Sequence, residues 1–411
     1  MSLLHLDKSK WQYVCVLVSN ALVILLGFVF NIIVTHIMTT DEYGYYKAFV
    51  NSLATMTTLF SFGFSLTFSR LFAMTEEKKE RKKLFGIALF LNLLISIIVV
   101  GIISTFNFLL NIFNFNLPQY ILVASFFVFV PLIERMIVFK LQGENRMLLY
   151  SLVSLIPKIL LTASCLVAFC LKITVSAGFL CCSYLLSSVC SILAVSISET
   201  PTLKFAFTDA KVVAQDNFRY GFHLYIGSLA SVASAQILNL MVASISGLSE
   251  YAMFSLGITL ATPIMQIPSV MGTIGFKSNI KLVKLPRKQI LFTFFVTIIA
   301  CIFYGLLLNI AFSTIIGEFY HDALFYATIM ILYYALMGLG DYFNRFILAK
   351  GEGKMVRNSS FVVGILLALC AAILIPSLNV TGVIIAEFIS AAVYLINMVI
   401  IYVRVVKKSN I

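Results

Sequence analysis

Apolar runs of about 20 residues or more recur along the whole chain, separated only by short polar stretches, and no other feature restricts the fold as strongly. They fall near residues 13–37, 44–67, 84–110, 119–141, 148–171, 173–196, 219–244, 251–274, 289–313, 323–347, 358–376 and 381–403. Hydrocarbon offers no water to the backbone, so a segment inside it must satisfy its own N–H and C=O groups. Only helices and closed barrels do so. Barrel strands are alternating segments of about 10 residues, whereas these runs are longer and unbroken. With 61% hydrophobic residues, 11% charged and a mean hydropathy of +1.03, the chain also lies far from the roughly 25% charged content of soluble domains. The first run, from Tyr13 to about Ile37, is longer than the apolar core of a cleaved leader and lacks a small-residue cleavage site, so it reads as a span. The expectation is an all-α polytopic membrane protein with about 12 transmembrane helices.

The basic residues orient it. Loops on alternate sides of these runs divide them sharply. One side holds Lys8 and Lys10, Arg70 with the 78–83 cluster, Lys140 and Arg146, and Lys204, Lys211 and Arg219. It also holds Lys277, Lys281, Lys284, Arg287 and Lys288, then Lys350, Lys354 and Arg357, then Arg404, Lys407 and Lys408. That is 24 of the 29 Lys and Arg residues. The opposite side has Lys47 and Lys172, and Arg135, Lys158 and Arg345 lie within spans. Basic loops stay cytoplasmic, which places both termini there, and a wrong span count would scramble the asymmetry. The net charge of +12 therefore reports topology, and nucleic acid is not an expected partner.

The chain also repeats itself. Glu42-Tyr43-Gly44-Tyr45-Tyr46 matches Glu250-Tyr251-Ala252-Met253-Phe254, and Gly143-Glu144-Asn145-Arg146-Met147 matches Gly351-Glu352-Gly353-Lys354-Met355, both at an offset of 208 residues. Asn31 and Asn239 share that offset. Each half then holds six spans, and an even number gives both halves the same orientation. The reading is two pseudo-symmetric six-helix bundles, residues 1–205 and 206–411, related by an axis along the membrane normal; such pairs commonly enclose a path and rock in alternating access.

At these residues the sequence resembles a family. The Tyr-Gly-Tyr-Tyr start of the second run, its end at Gly63, Phe64, Ser65 and Arg70, and the Gln142 to Arg146 loop (Gln-Gly-Glu-Asn-Arg) are similar to the polysaccharide-exporter, O-unit flippase branch of the multidrug/oligosaccharidyl-lipid/polysaccharide (MOP) transporter superfamily. The resemblance extends over nearly the whole chain in length, span number and two-half layout. It implies a bacterial cytoplasmic (inner) membrane protein that moves an undecaprenyl-pyrophosphate-linked oligosaccharide, such as an O-antigen repeat unit of lipopolysaccharide, between leaflets. Its partners would be that lipid-linked oligosaccharide and the lipid bilayer, with a polysaccharide polymerase and chain-length machinery as further candidates.

A diphosphate cargo needs cations in a polar cavity, and a charge at mid-membrane costs about 2.5–3.5 kcal/mol on insertion scales, so such residues are functional candidates. Lys158 follows Pro157 near the centre of the fifth run, with Ser154 and Thr162 on its helix face. Glu134 and Arg135 are neighbours on a helix and should face different partners. Asp341 and Arg345, four apart, can pair with each other. Arg70 and Lys47 are candidates whose plainer use is anchoring at the lipid headgroups. Asn31, Asn51, Gln236, Asn239 and Gln266 are sugar-facing candidates, though interhelical hydrogen bonds are the commoner use of such groups. Glu387 is the candidate for a coupling proton or sodium ion, or else a helix cap.

Neither catalysis, cofactor nor metal is expected. His5, His36, His223 and His321 are isolated and lack ligand spacing. Lys350 to Met355 superficially suggests a phosphate loop, but Leu348 stands where the leading glycine belongs and Met355 where Ser or Thr does. All eight cysteines, Cys15 among them, lie in apolar segments without a Cys-x-x-Cys pair, as buried hydrophobes do. A multidrug antiporter of the same superfamily is the main alternative, and a membrane polysaccharide polymerase or acyltransferase a weaker one, since the loops opposite the basic side are short and hold no His/Asp/Glu cluster.

The charge asymmetry makes one direct prediction: a phosphatase reporter fused at Lys172 is active and one fused after Ile411 is inactive, with the reverse for a cytoplasm-dependent fluorescent reporter.

Overall fold

The computed structural model describes residues 8–144, 146–198, 200–202, 207–219, 221–279 and 282–408, and over these it is helical without a strand. His5, Asn145, Lys204 and Lys281 lie outside the described residues, as do the side chains of Lys8, Lys10, Cys15, Arg219, His223 and Lys277. The chain forms two compact units, Met1–Met38 with Tyr45–Leu229, and Thr39–Gly44 with Ala230–Ile411.

In order, the helices of the first half are α1 Lys8–Ile37, α2 Thr40–Leu59, α3 Phe64–Met74, α4 Lys78–Ile112, α5 Gln119–Phe127, α6 Phe129–Gly143, α7 Met147–Cys170 and α8 Ala177–Ser198. Then follow α9 Phe207–Arg219, α10 Gly221–Ile245, α11 Leu248–Ala261, α12 Pro263–Asn279, α13 Arg287–Leu307, a turn α14 Ser313–Ile315, α15 Asp322–Ala349 and α16 Gly353–Lys408. The 208-residue offset recurs in the element ends. α1 and α10 stop at Ile37 and Ile245, and α2 and α11 start at Thr40 and Leu248.

Seven of these stretches are long and apolar enough to cross a membrane, or nine when the bent pairs α2–α3 and α5–α6 each count as one. α16 has 56 residues, about 84 Å at 1.5 Å per residue, far beyond one bilayer. It divides at Asn379, whose φ of 50° is non-helical, and Gly382 admits the backbone of Leu374 where no Cβ would fit. α1 and α10, apolar over Leu22–Ile37 and Gln236–Ile245 among the described side chains, complete about a dozen spans. Lipid-facing residues show directly on α13, where Leu291, Phe295, Ile298, Ile302 and Phe303 are all more than half exposed, at the spacing of one helix face.

Several spans are interrupted, and side chains answer three of the interruptions. Pro157 in α7 has no N–H for the Val153 carbonyl, and the Ser191 hydroxyl of α8 donates to that oxygen at 3.0 Å. The α5–α6 bend of 49° falls four residues before Pro131, whose ring opposes the Phe127 carbonyl. In the second unit Tyr304 donates to Leu260 O at 2.6 Å, beside the break at Thr262 that precedes Pro263. The α2–α3 bend of 64° contains no proline. There Phe62 and Gly63 adopt φ of +45° and +80°, a region costing of order 1 kcal/mol or more for a residue with a Cβ.

At one end of the first unit, Phe68 and Phe72 of α3 pack with Phe85 of α4, Met136 and Leu141 of α6, and Ala210 and Val213 of α9. Beneath lies a buried ion pair, Lys140 Nζ to Glu144 Oε1 at 3.3 Å with both side chains 1% exposed. The ammonium also sits 4.9 Å and 5.6 Å from the ring centres of Phe85 and Phe72. Lys140, Gly143 and Glu144 thus end α6 in a packed corner. The second unit has a comparable core of Tyr342, Phe343, Phe346, Tyr394 and Met398.

Two segments differ from the sequence reading. The 78–83 cluster, expected in a loop, forms the first turns of α4, where Glu80 lies in the positive first turn. The polar stretch after the sixth run contains α9, tied to α4 by Lys83 and Asp209 at 3.1 Å and grouped with the first unit; its 13 residues are too few for a span and too polar to register as one.

The packing makes a contrast testable. A Cβ on Gly143 would run into the Ser69 carbonyl of α3, whereas one on Gly101 meets nothing within 4 Å. Gly143→Ala should therefore cost about 1–3 kcal/mol, and Gly101→Ala should be neutral or stabilising by up to about 1 kcal/mol, read as opposite shifts in the thermal unfolding of detergent-solubilised protein.

Candidate functional site

The first unit gathers charge from three helices. Lys158 of α7, one residue past the proline gap that Ser191 fills, interacts electrostatically with Glu134 of α6. Lys47 of α2 is close enough to feel the same ammonium. α8 adds polar groups: the Ser188 hydroxyl is hydrogen-bonded to the Glu134 carboxylate, and Tyr184, one turn earlier, lies in reach of that carboxylate. Lys47, Glu134 and Lys158 are half-buried. Lys158 thus has an acidic neighbour in Glu134 and a basic one in Lys47, in a region where mutual repulsion between lysines is poorly screened. An anion placed there relieves that repulsion. Sequence inspection brought out Lys158, Glu134 and Lys47 but not their meeting, and it missed Tyr184, Ser188 and Ser191, whose three-to-four-residue spacing along the sixth run is the stripe that would have revealed them.

The neighbours of this cluster separate as helix geometry requires. Arg135, adjacent to Glu134, lies 5.8 Å from the Phe139 ring centre and interacts with Tyr225 of α10. Arg70 is exposed on α3. Asn31 is buried at 4% exposure and donates its amide to Gly27 O at 2.5 Å within its own helix.

In the second unit the charged residues form two groups. Tyr394 donates to Asp341 Oδ1 at 2.9 Å and accepts from Asn344 Nδ2 at 3.1 Å. Arg345 acts on Asp341 electrostatically while its stem packs on α12, where a Cβ at Gly272 would lie 3.1 Å from Arg345 Cγ. The direct partner of Asp341 is therefore the Tyr394 hydroxyl. Glu387 is 7% exposed, and its Oε2 has no hydrogen-bond partner. Tyr333 and Tyr334 of α15 lie within its electrostatic reach, and Tyr334 is hydrogen-bonded to Thr262. Among the described residues no group of three His, Cys, Asp or Glu side chains converges on a metal position.

A family model described as polysaccharide biosynthesis protein matches residues 11–275, well over half the chain. The chain belongs to that polysaccharide biosynthesis family. No curated protein sequence matches it. Among solved structures, it is similar to an inward-facing multidrug resistance MATE family transporter of the MOP superfamily, with a TM-score of 0.66 at 14% identity over 93% of this chain and 95% of that one. It is also similar to the lipid II flippase MurJ in an inward closed conformation, with a TM-score of 0.65 at 14% identity over 97% and 91%. A MOP superfamily transporter from Pyrococcus furiosus gives a TM-score of 0.56 at 14% identity over 97% and 96%. These establish a MOP-type fold for this family member.

The family match spans Lys47, Glu134, Lys158, Tyr184 and Ser188, and ends before Asp341 and Glu387. If Lys158 and Glu134 stabilise each other, Lys158→Met and Glu134→Gln together should unfold less readily than the two single losses summed, with a coupling of about 0.5–3 kcal/mol. Additive losses in thermal melts would show that the two do not interact.

Proposed function

We propose that this multi-pass membrane protein is a flippase that moves an undecaprenyl-pyrophosphate-linked oligosaccharide, an O-antigen unit or a similar polysaccharide precursor, from the cytoplasmic to the opposite leaflet by alternating access. The observation that carries the reading is the approach of Lys47 to Lys158, which also acts on Glu134. A lipid-linked diphosphate supplies the missing negative charge, while its tail remains in hydrocarbon and needs no pocket. Tyr184 and Ser188 offer hydroxyls to phosphate or sugar oxygens. Family membership and the fold shared with MurJ, a lipid II flippase by its description, support a transporter that handles lipid-linked cargo, and no feature of the site calls for a covalent step.

In this reading the membrane is the bacterial inner membrane with both termini cytoplasmic, and Arg70, exposed on α3, meets the cargo's phosphates on the cytoplasmic side. Arg135 is a second phosphate contact of the first half, Asn31 a polar contact, and Asp341 with Arg345 line the path through the second half. Glu387 is the coupling group. A buried carboxyl with an unpartnered oxygen takes up a proton or a sodium ion in one conformation and releases it in the other. The multidrug antiporter is the second reading, because Glu387 and Asp341 would also attract a cationic drug.

Lys158→Ala should abolish export of surface polysaccharide while the protein still inserts at normal levels, and Lys158→Arg should retain part of it. In a deletion strain, lipid-linked units should accumulate on the cytoplasmic face and clear when the intact gene returns. Normal export by Lys158→Ala would remove the anion site. Unchanged polysaccharide with altered drug sensitivity would transfer the function to the antiporter.

A further inference from the structure

The bend between α2 and α3 differs from the other broken spans in that no proline enforces it. From Met56 to Thr67 the chain contains only residues able to continue a helix. In a continuous helix the Leu66 N–H would reach Phe62 O; here it donates to Gly63 O at 3.0 Å. Two of the carbonyls released by the break are taken up by residues further along the chain. Tyr225 of α10 donates its hydroxyl to Leu59 O, and Asn217 of α9 donates Nδ2 to Phe62 O at 2.9 Å. Asn217 Oδ1 in turn accepts from the Thr67 hydroxyl at 2.7 Å. Gly63 and Gly221 meet backbone to backbone, where a Cβ on either would collide. Asn217 is 1% exposed and Tyr225 7%.

A break without proline has two chemically complete states. Bent, its carbonyls bond to Tyr225 and Asn217. Straight, the same oxygens return to the main-chain ladder and Phe62 leaves the left-handed region. Leu59 O and Phe62 O have a donor either way, which is a condition for a segment inside a membrane to switch. α3 is anchored by Phe68 and Phe72 in the core with α4, α6 and α9, and α2 buries Phe49 and Leu53; a change in the angle between the two arms moves Lys47 of α2 relative to Lys158.

We propose that Asn217 and Tyr225 are positioning residues: they clamp the α2–α3 hinge in its bent state and so hold Lys47 in the anion site, and release of the clamp straightens the span and withdraws Lys47 during transport. The step adds a moving part to the proposed flippase site and rests on that reading for its role, though not for its geometry. The α9–α10 junction that supplies the clamp is also where the chain runs on toward residue 230 and the second unit.

The test uses full-length protein in vesicles, in a cysteine-free background, with spin labels at Val50 on α2 and Met74 on α3. Wild type should give mainly the shorter distance. Tyr225→Phe, which keeps the ring beside Phe62 and Phe222 and loses only the hydroxyl, should add a population longer by roughly 5 Å, the gain expected from straightening two short helical arms. Asn217→Ala should add more of it, and both should lower polysaccharide export. An unchanged distance distribution in both variants at wild-type membrane levels would overturn the clamp. Because Tyr225→Phe is a mild change, it remains informative where Asn217→Ala fails to accumulate. The distances are read without any lipid-linked substrate, so a longer population in a protein that proves to export no polysaccharide would leave the hinge standing and remove only the flippase.

Discussion

A carbonyl released from a helix inside a bilayer has no water to turn to, and that constraint organises this structure. Leaving a buried polar group unpaired costs several kcal/mol in hydrocarbon, so a span breaks most readily where another helix brings a donor. Ser191 answers Val153, Tyr304 answers Leu260, and Tyr225 with Asn217 answers Leu59 and Phe62. These donors are buried hydroxyls and amides that a polarity scale would count against membrane insertion. Each is placed where the main chain needs it, and each ties one helix to another. The breaks therefore help to hold the first unit together.

The same accounting governs the charges. Lys140 and Glu144 are nearly fully buried, and they are tolerated because each has the other, with two aromatic faces over the ammonium. Arg146 joins them, with Nη1 3.7 Å from Glu144 Oε2. The Lys47, Glu134 and Lys158 group differs in its setting: it is half-buried and lies beside polar groups of α8. The packed corner leaves no room beside its ammonium, where two rings lie, and this difference in surroundings separates the structural lysine from the candidate binding one.

Much of the architecture was legible in the residues. Length and hydropathy of the runs gave the helices, and the distribution of Lys and Arg gave a consistent topology. The 208-residue offset reappears in the ends of α1, α2, α10 and α11. The breaks were only partly visible: Pro131 and Pro157 advertise themselves, but Phe62 and Gly63 sit in an unremarkable apolar stretch, and their bend depends on Asn217 and Tyr225 more than 150 residues away. α9 escaped notice because its 13 residues are too few for a span and its mean composition is polar, although Ala210, Val213 and Asn217 recur at the spacing of one buried helix face. For the site, individual charges stood out because charge is rare in apolar runs. Their convergence did not, because which face of α2, α6, α7 and α8 turns inward is set by tertiary packing.

The two kinds of site residue also differ in how they can be moved. Lys158 is fixed twice, by the helix it belongs to and by the Ser191 bond that repairs the gap at Pro157, so its position is covalently and locally determined. Lys47 stands on a helix whose direction is set by a proline-free break and by hydrogen bonds from a separate part of the chain. A binding site that must release its cargo needs both: a fixed charge that defines where the anion sits, and a second charge that can leave. Proline is suited to the first because its break cannot heal, and a break without proline to the second because both of its states satisfy the backbone. The distribution of prolines among the bent spans of the first unit thus divides the parts that anchor the anion from the part that is free to move.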